Sequence, residues 1–111
     1  MNKKNNPLNL NKLQIKTLAV FKELAFKINK ENFNNEEEIT LFHILNPHGN
    51  HLHIGNKIIK SNDASGLSNP SVWKALERKG LIYGEFPIPI TLTKLGINYN
   101  TDIAESIFAK A

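Results

Sequence analysis

The sequence contains no cysteine and only one methionine and one tryptophan among its 111 residues. Absence of cysteine excludes a disulfide framework, a thiolate metal site and a thiol nucleophile. Any metal site in this chain would have to use imidazole and carboxylate ligands.

The chain also lacks a hydrophobic run long enough to cross a bilayer, and no apolar segment follows the polar tract at residues 2–6. We therefore expect a cytoplasmic protein without a membrane partner.

Catalytic signatures are missing too. No phosphate-cradling glycine loop, paired-carboxylate motif or nucleophile with an acid–base partner is present. The alternating histidines at 51 and 53 approach the pattern of histidine-triad nucleotide hydrolases, but position 55 is glycine. The sequence predicts that the protein is not an enzyme.

What remains is enough for one domain. A chain of 111 residues with 41% hydrophobic content can build a single core. Residues 1–11 are polar and are predicted to form a flexible N-terminal arm, and residues 12–111 form the domain. The formal charge of +4 and the pI near 9.4 permit a nucleic-acid partner without requiring one.

Residues 68–96 contain the strongest local signals. Asn69 is suited to cap a helix, Pro70 suits its first position, and Gly80 suits the left-handed residue that ends it. These signals predict a helix over residues 70–79. Its inward side chains, spaced three and four apart, are Val72, Trp73 and Leu76.

The opposite face of this helix combines small and cationic side chains: Ser71, Lys74, Ala75 and Arg78. Small residues allow close approach to a DNA major groove, and long cationic ones reach phosphate oxygens or guanine edges. We take these four as candidate DNA-binding residues. The alternative is a solvated helix face, since lysine and arginine on an exposed side usually face water.

A two-stranded ribbon is predicted after Gly80. Residues 81–83 form one strand, Gly84 and Glu85 form the bend, and residues 86–92 return. Pro87 and Pro89 donate no ladder hydrogen bond, so the returning strand must lie at an edge or pair through its other residues.

The segments VWKALERKGLI and ITLTKLG resemble the winged helix-turn-helix of the multiple-antibiotic-resistance regulator (MarR) family. The resemblance covers about the last third of the chain. It implies a small cytoplasmic homodimer that binds palindromic double-stranded DNA, with the helix at 70–79 in the major groove. In that family the terminal helices of both subunits interlock.

Two features depart from the family pattern. The predicted wing tip offers Gly84, Glu85 and Phe86 where an arginine usually enters the minor groove. The supporting helix is reduced to residues 61–67, with Asp63 as a cap and Ala64 and Leu67 as apolar anchors. The short supporting helix weakens the case for a DNA-binding helix-turn-helix. The wing without a cation favours an alternative: a winged-helix module that binds another protein through Trp73, Phe86 and the proline-flanked strand.

The longest predicted helix covers residues 11–29. One apolar face consists of Leu13, Thr17, Leu18, Phe21, Leu24, Ala25 and Ile28, and a second stripe consists of Ile15, Ala19 and Phe26. The second stripe predicts a homodimer through this helix. The alternative is that a final helix over residues 101–109 covers it within one chain, using Ile103, Ile107 and Phe108.

The middle of the chain has two readings. Asn34 or Asn35 could begin a helix, but we favour a β-hairpin with strands at 39–45 and 51–59 and a turn over 46–50. All four histidines lie in this region: His43, His48, His51 and His53.

On a strand, His51 and His53 share a face, and a turn residue such as His48 can fold over them, which predicts a Zn²⁺ site completed by water or a carboxylate. His43 is a further candidate ligand. The string HGNHLH also resembles the HxxHxH element of poly-histidine triad proteins, which implies zinc binding. The alternative is a solvated tip, or imidazoles bonded to backbone carbonyls.

Together these patterns predict an α+β protein: a winged helix-turn-helix-like single domain with an additional β-hairpin that carries the histidines. The predicted function is a DNA-binding transcriptional regulator, which would respond to zinc if the histidines bind it.

Overall fold

A computed structural model of the chain describes residues 6–28, 38–42, 50–86 and 89–110. Its three α-helices are α1 (Lys12–Ile28), α2 (Pro70–Arg78) and α3 (Lys94–Asn98). Its strands are β1 (Ile39–Leu41), β2 (His51–Ile54), β3 (Lys57–Lys60), β4 (Ile82–Gly84), β5 (Ile90–Leu92) and β6 (Ala109–Lys110). A first 3₁₀ helix spans Ser61–Ser68 and a second spans Asp102–Ile107. The predicted α+β class is confirmed.

Helix α1 begins at a capping box. Asn11 Oδ1 accepts a hydrogen bond from the Gln14 amide at 2.8 Å, and Gln14 Oε1 accepts one from the Asn11 amide at 3.0 Å. The helix occupies almost the range predicted from its periodicity. Leu18 and Phe21 lie on its fully buried face. None of the helices in the described ranges is long and apolar enough to span a bilayer.

Strands β1, β5 and β4 form one antiparallel sheet in that order. Leu92 lies opposite Ile39 on one side and opposite Ile82 on the other. Strand β5 is therefore central even though two prolines precede it. Its paired residues begin only after Pro89. Of the two predicted possibilities, an edge strand or pairing through the residues other than proline, the second is observed.

Strands β2, β3 and β6 form a second antiparallel sheet. For the described residues of the first predicted strand, 39–42, the predicted pairing with 51–59 is wrong, because β1 pairs with β5 and β2 pairs with β3. The reason is local: Gly55, at φ 59°, and Asn56 close a two-residue turn inside the segment predicted as one strand. A β-hairpin thus carries His51 and His53, whereas residues 43–49 lie outside the described part.

The first 3₁₀ helix packs against α1 and α2. Ala64 and Leu67 are buried, as predicted. Asp63 does not cap this helix, which starts without a side-chain cap; its carboxylate instead pairs with Lys16 Nζ at 2.7 Å. Trp73 Nε1 donates to the Gly66 carbonyl at 3.2 Å, which ties the 3₁₀ helix to α2.

The structure differs from the predicted flexible arm at residues 6–11. Asn6 is 3% exposed and Leu10 is 4% exposed. Asn6 Oδ1 accepts hydrogen bonds from the Tyr99 hydroxyl at 2.6 Å and from the Leu10 amide at 2.9 Å. The bond from Tyr99, which directly follows α3, ties the N-terminal segment to that part of the fold. Residues 1–5 lie outside the described part.

The second apolar stripe of α1 is covered in part from within the chain. Ile15 and Ala19 are buried and the second 3₁₀ helix packs on α1, whereas Phe26 is 49% exposed. The segment is a 3₁₀ helix instead of the predicted α-helix at 101–109. Ala104 is buried, and Ile107 and Phe108 are partly buried against the core as predicted, whereas Ile103 is 62% exposed instead of facing inward.

Candidate functional site

Helix α2 is held at both ends by local bonds. Asn69 Oδ1 accepts from the Ser71 amide at 3.0 Å, and Pro70 occupies the first turn. At the other end the Gly80 amide donates to the Glu77 carbonyl and the Leu81 amide donates to the Leu76 carbonyl, with Gly80 at φ 78°. These bonds form a Schellman motif, which fixes where the helix stops and where β4 departs. The predicted limits of this helix are confirmed.

Three of the four candidate DNA-binding residues share an exposed face. Ser71, Lys74 and Arg78 are exposed and, at 100° per residue, fall within an arc of about 60°. Ala75 does not belong with them: it is 6% exposed. It lies about 60° from Val72, at the margin of the buried side, so its methyl group is largely covered within the chain.

The charge on this surface is mixed. Lys74 and Arg78 are exposed cations, and the Glu77 carboxylate is exposed on the adjoining part of the helix. Lys79 is turned away from this face, because its Nζ donates to the Leu8 carbonyl at 2.7 Å. Arg78 lies in the last turn, where the helix dipole favours a cation.

The bend between β4 and β5 carries no cation. Glu85 and Phe86 are both exposed, and the Glu85 amide donates to the Pro89 carbonyl at 3.0 Å. The Phe86 ring meets Trp73 edge to face, with ring centroids 4.8 Å apart. This contact anchors the bend against α2.

Beside this contact, a cleft of about 220 Å³ lies between α2 and the bend. It is lined by Pro70, Trp73, Lys74, Glu77, Ile82, Tyr83, Gly84, Phe86 and Ile90. Aromatic and aliphatic side chains form its walls, with one cation and one carboxylate from α2. Such a composition is typical of a surface that binds an apolar side chain of a partner.

The outer face of the first sheet bears a polar row that the sequence did not indicate. The Tyr83 hydroxyl donates to Glu38 Oε1 at 2.6 Å, and the hydroxyls of Thr40 and Thr91 are 2.8 Å apart. The hydrogen bond to Glu38 raises the pKa of Tyr83 above its usual value. These contacts depend on the order β1, β5, β4, for which the sequence held no local signal.

A partly buried lysine borders a different pocket. Lys22 Nζ donates to the Tyr99 carbonyl at 2.7 Å. Burial lowers the pKa of Lys22, and the nearby carboxylates of Glu105, Asp102 and Glu23 oppose that shift. This hydrogen bond links α1 to the segment that follows α3, which is a structural contact.

Two of the four histidines can be placed. His51 and His53 lie on the outer side of β2, opposite the buried Leu52 and Ile54. Their Nε2 atoms are 3.1 Å apart, and Asn50 Oδ1 is 3.3 Å from His51 Nδ1. His43 and His48 lie outside the described residues. Within the described ranges, no cluster of three or more histidine, cysteine, aspartate or glutamate side chains could hold a metal ion.

No protein-family model matches this chain, and no curated protein or solved structure is detectably similar to it.

Proposed function

We propose that the protein is a winged-helix DNA-binding domain that acts in transcription regulation, with α2 as the helix that enters the major groove. The observation that carries this proposal is the exposure of Ser71, Lys74 and Arg78 on one face of a helix that is capped at both ends. A rigid helix with a small residue near its N-terminus and cations farther along is suited to groove binding.

The order of elements supports the same proposal. Helix α1 precedes β1, the first 3₁₀ helix precedes α2, and the β4–β5 ribbon follows, with β5 between β1 and β4 in the sheet. In this reading the 3₁₀ helix takes the place of the supporting helix of a helix-turn-helix, and the ribbon is the wing. Trp73 joins these parts through its contacts with Gly66, Phe21 and Phe86.

The chemistry of binding follows from the side chains. Lys74 and Arg78 would neutralise phosphates, and Arg78 can also form a bidentate contact with a guanine edge. Glu77 and the acidic tip residue Glu85 would face phosphate unfavourably, so binding to duplexes of unrelated sequence should be detectable at low salt and lost as the salt concentration rises. Each phosphate contact makes affinity depend on salt.

A gel-shift and fluorescence-anisotropy series with random-sequence duplexes tests the proposal. We expect affinity to fall steeply with salt, and Lys74→Ala and Arg78→Ala each to lower the salt slope by about one. Lys27→Ala is the matched control, because Lys27 is an exposed lysine on α1 and its loss changes net charge equally. No shift at low salt, or equal effects of all three variants, contradicts DNA binding through α2.

A second function is favoured by one observation, the apolar cleft between α2 and the bend. With Trp73, Tyr83 and Phe86 on its walls and no cation at the tip, the cleft fits an aromatic or aliphatic side chain of a partner protein. Phe86→Ser separates the two functions, because it removes one wall of the cleft and leaves Lys74 and Arg78 in place. Loss of a salt-insensitive protein partner in Phe86→Ser, with no DNA shift by the wild type, supports the interaction module.

A further inference from the structure

The outer face of β2 carries chemistry that DNA binding does not use. We propose that His51 and His53 together form a bidentate imidazole site for a divalent cation of the zinc, nickel and copper type. This inference goes beyond the function proposed for α2, and it rests on the described pair alone.

Strand geometry places the two imidazoles on one side. Residues two apart on a strand project from the same face, and here the opposite face is fixed by burial of Leu52 and Ile54. Leu52 lies across from the fully buried Ile59. A slip in register would expose these core residues, so the hairpin holds His51 and His53 in place.

The separation of the ring nitrogens fits a shared cation. The two Nε2 atoms are 3.1 Å apart. Two nitrogen ligands at about 2.0 to 2.1 Å from a tetrahedral Zn²⁺ are themselves about 3.3 Å apart. The separation of the two atoms therefore already matches a shared ion closely, and rotation of the two rings would turn both lone pairs toward it.

A bound cation would replace the hydrogen bond that now joins the two imidazoles. A hydrogen bond between two Nε2 atoms requires one of them to carry a proton, because the other must accept. For a metal ion to bind there, the ring that carries this proton must move it from Nε2 to Nδ1, or release it to solvent if the ring is cationic, so that both Nε2 atoms are lone-pair ligands of neutral imidazoles. Asn50 Oδ1 lies 3.3 Å from His51 Nδ1 and can accept a hydrogen bond from Nδ1–H, which favours the His51 tautomer with Nε2 as the ligand atom.

The neighbouring strand sets a limit on affinity. Lys60 lies directly opposite His51 in the register, and its exposed side chain projects from the same face. Its positive charge opposes a second cation nearby. Two imidazoles without a charged ligand should follow the order in which Cu²⁺ binds more tightly than Ni²⁺ or Zn²⁺.

Isothermal titration of chelator-treated, tag-free full chain with ZnSO₄, NiSO₄ and CuSO₄ tests the proposal. We expect one cation per chain, and a loss of affinity of at least about 100-fold in His51→Gln and in His53→Gln, because each removes a direct ligand. The His43→Gln/His48→Gln double variant is the matched control for imidazole loss. That control variant should keep the affinity of the wild type, because His51 and His53 are both present.

Unchanged affinity in the His51→Gln/His53→Gln double variant overturns the proposal, as does the absence of binding in the wild type. Circular dichroism establishes that each variant is folded. Lys60→Gln supplies an independent test, since removing a positive charge beside the pair should raise affinity between about two- and tenfold. A decrease or no change in Lys60→Gln would place the cation away from β2 and so overturn the assignment.

Discussion

Gly66 lies where the first 3₁₀ helix meets the side chain of Thr17 on α1. A Cβ added at Gly66 would collide with Thr17 Oγ1, and Thr17 is itself fully buried. We expect Gly66→Ala to lower the free energy of unfolding by about 1–3 kcal/mol through overpacking. The cost should shrink when Thr17→Ala removes the obstructing hydroxyl. Urea unfolding of both singles and the double gives the coupling energy, and strict additivity would mean that the two residues do not meet.

Tyr83 provides a pH-dependent readout of the first sheet. Because its phenol donates to Glu38, its pKa is raised above the model-peptide value of about 10. A raised folded-state pKa means that this contact stabilises fully below pH 10 and is lost as pH rises through the folded-state pKa. Carbon-13 NMR of the Tyr83 Cζ should show a midpoint that falls toward 10 in Glu38→Ala. An unchanged midpoint would mean that the hydrogen bond is absent in solution.

At the scale of elements, Thr93 connects the end of α2 to the start of α3. Its hydroxyl donates to the carbonyl of Gly80 at 2.6 Å and accepts from the Gly96 amide at 3.0 Å. Thr93→Val keeps the shape but removes both bonds, so we expect a loss of about 1–2 kcal/mol of unfolding free energy in urea titrations. Thr93→Ser should retain most of the stability, and a Ser variant as weak as Val would contradict this role.

The elements differ in how far the sequence could predict them. The limits of α2 follow from Asn69, Pro70 and Gly80, whose effects act within a turn of the helix. The partner of β1 was predicted wrongly, because β5 is about 50 residues away and many pairings bury Ile39 and Leu41 equally well. Gly55 and Asn56 are turn-forming residues, so the sequence contains a signal for this turn. Pro47 and Gly49 signal a turn as well, and the prediction placed the turn at these earlier residues.

The candidate site shows the same division. Exposure of Ser71, Lys74 and Arg78 followed from helical periodicity, whereas burial of Ala75 did not, because it depends on how deeply α2 sits in the core. The alternation of His51 and His53 placed them on one face. Their 3.1 Å separation required the hairpin with β3, and the cleft beside Phe86 required the contact between that ring and Trp73.

At the scale of the whole molecule, dimer formation through α1 remains a prediction from the sequence. The second apolar stripe retains one exposed large residue, Phe26, which borders a shallow pocket of about 280 Å³ together with Lys22 and Ile97. The family resemblance implies that such a two-fold dimer presents two copies of α2 to one duplex. Groove binding then requires half-sites about 34 Å apart, or a multiple of that distance.

We expect light scattering to show a dimer for the wild type and a monomer for Phe26→Ser, because a polar side chain removes the apolar contact at the centre of the predicted interface. Phe42→Ser is the matched control: Phe42 is 62% exposed and is not part of the second apolar stripe of α1, so its replacement should leave the dimer intact. A wild-type protein that stays monomeric at every concentration would contradict the dimer. If Phe26→Ser is monomeric, its affinity for a palindromic site should fall further than its affinity for a single half-site, because only the palindrome engages both copies of α2.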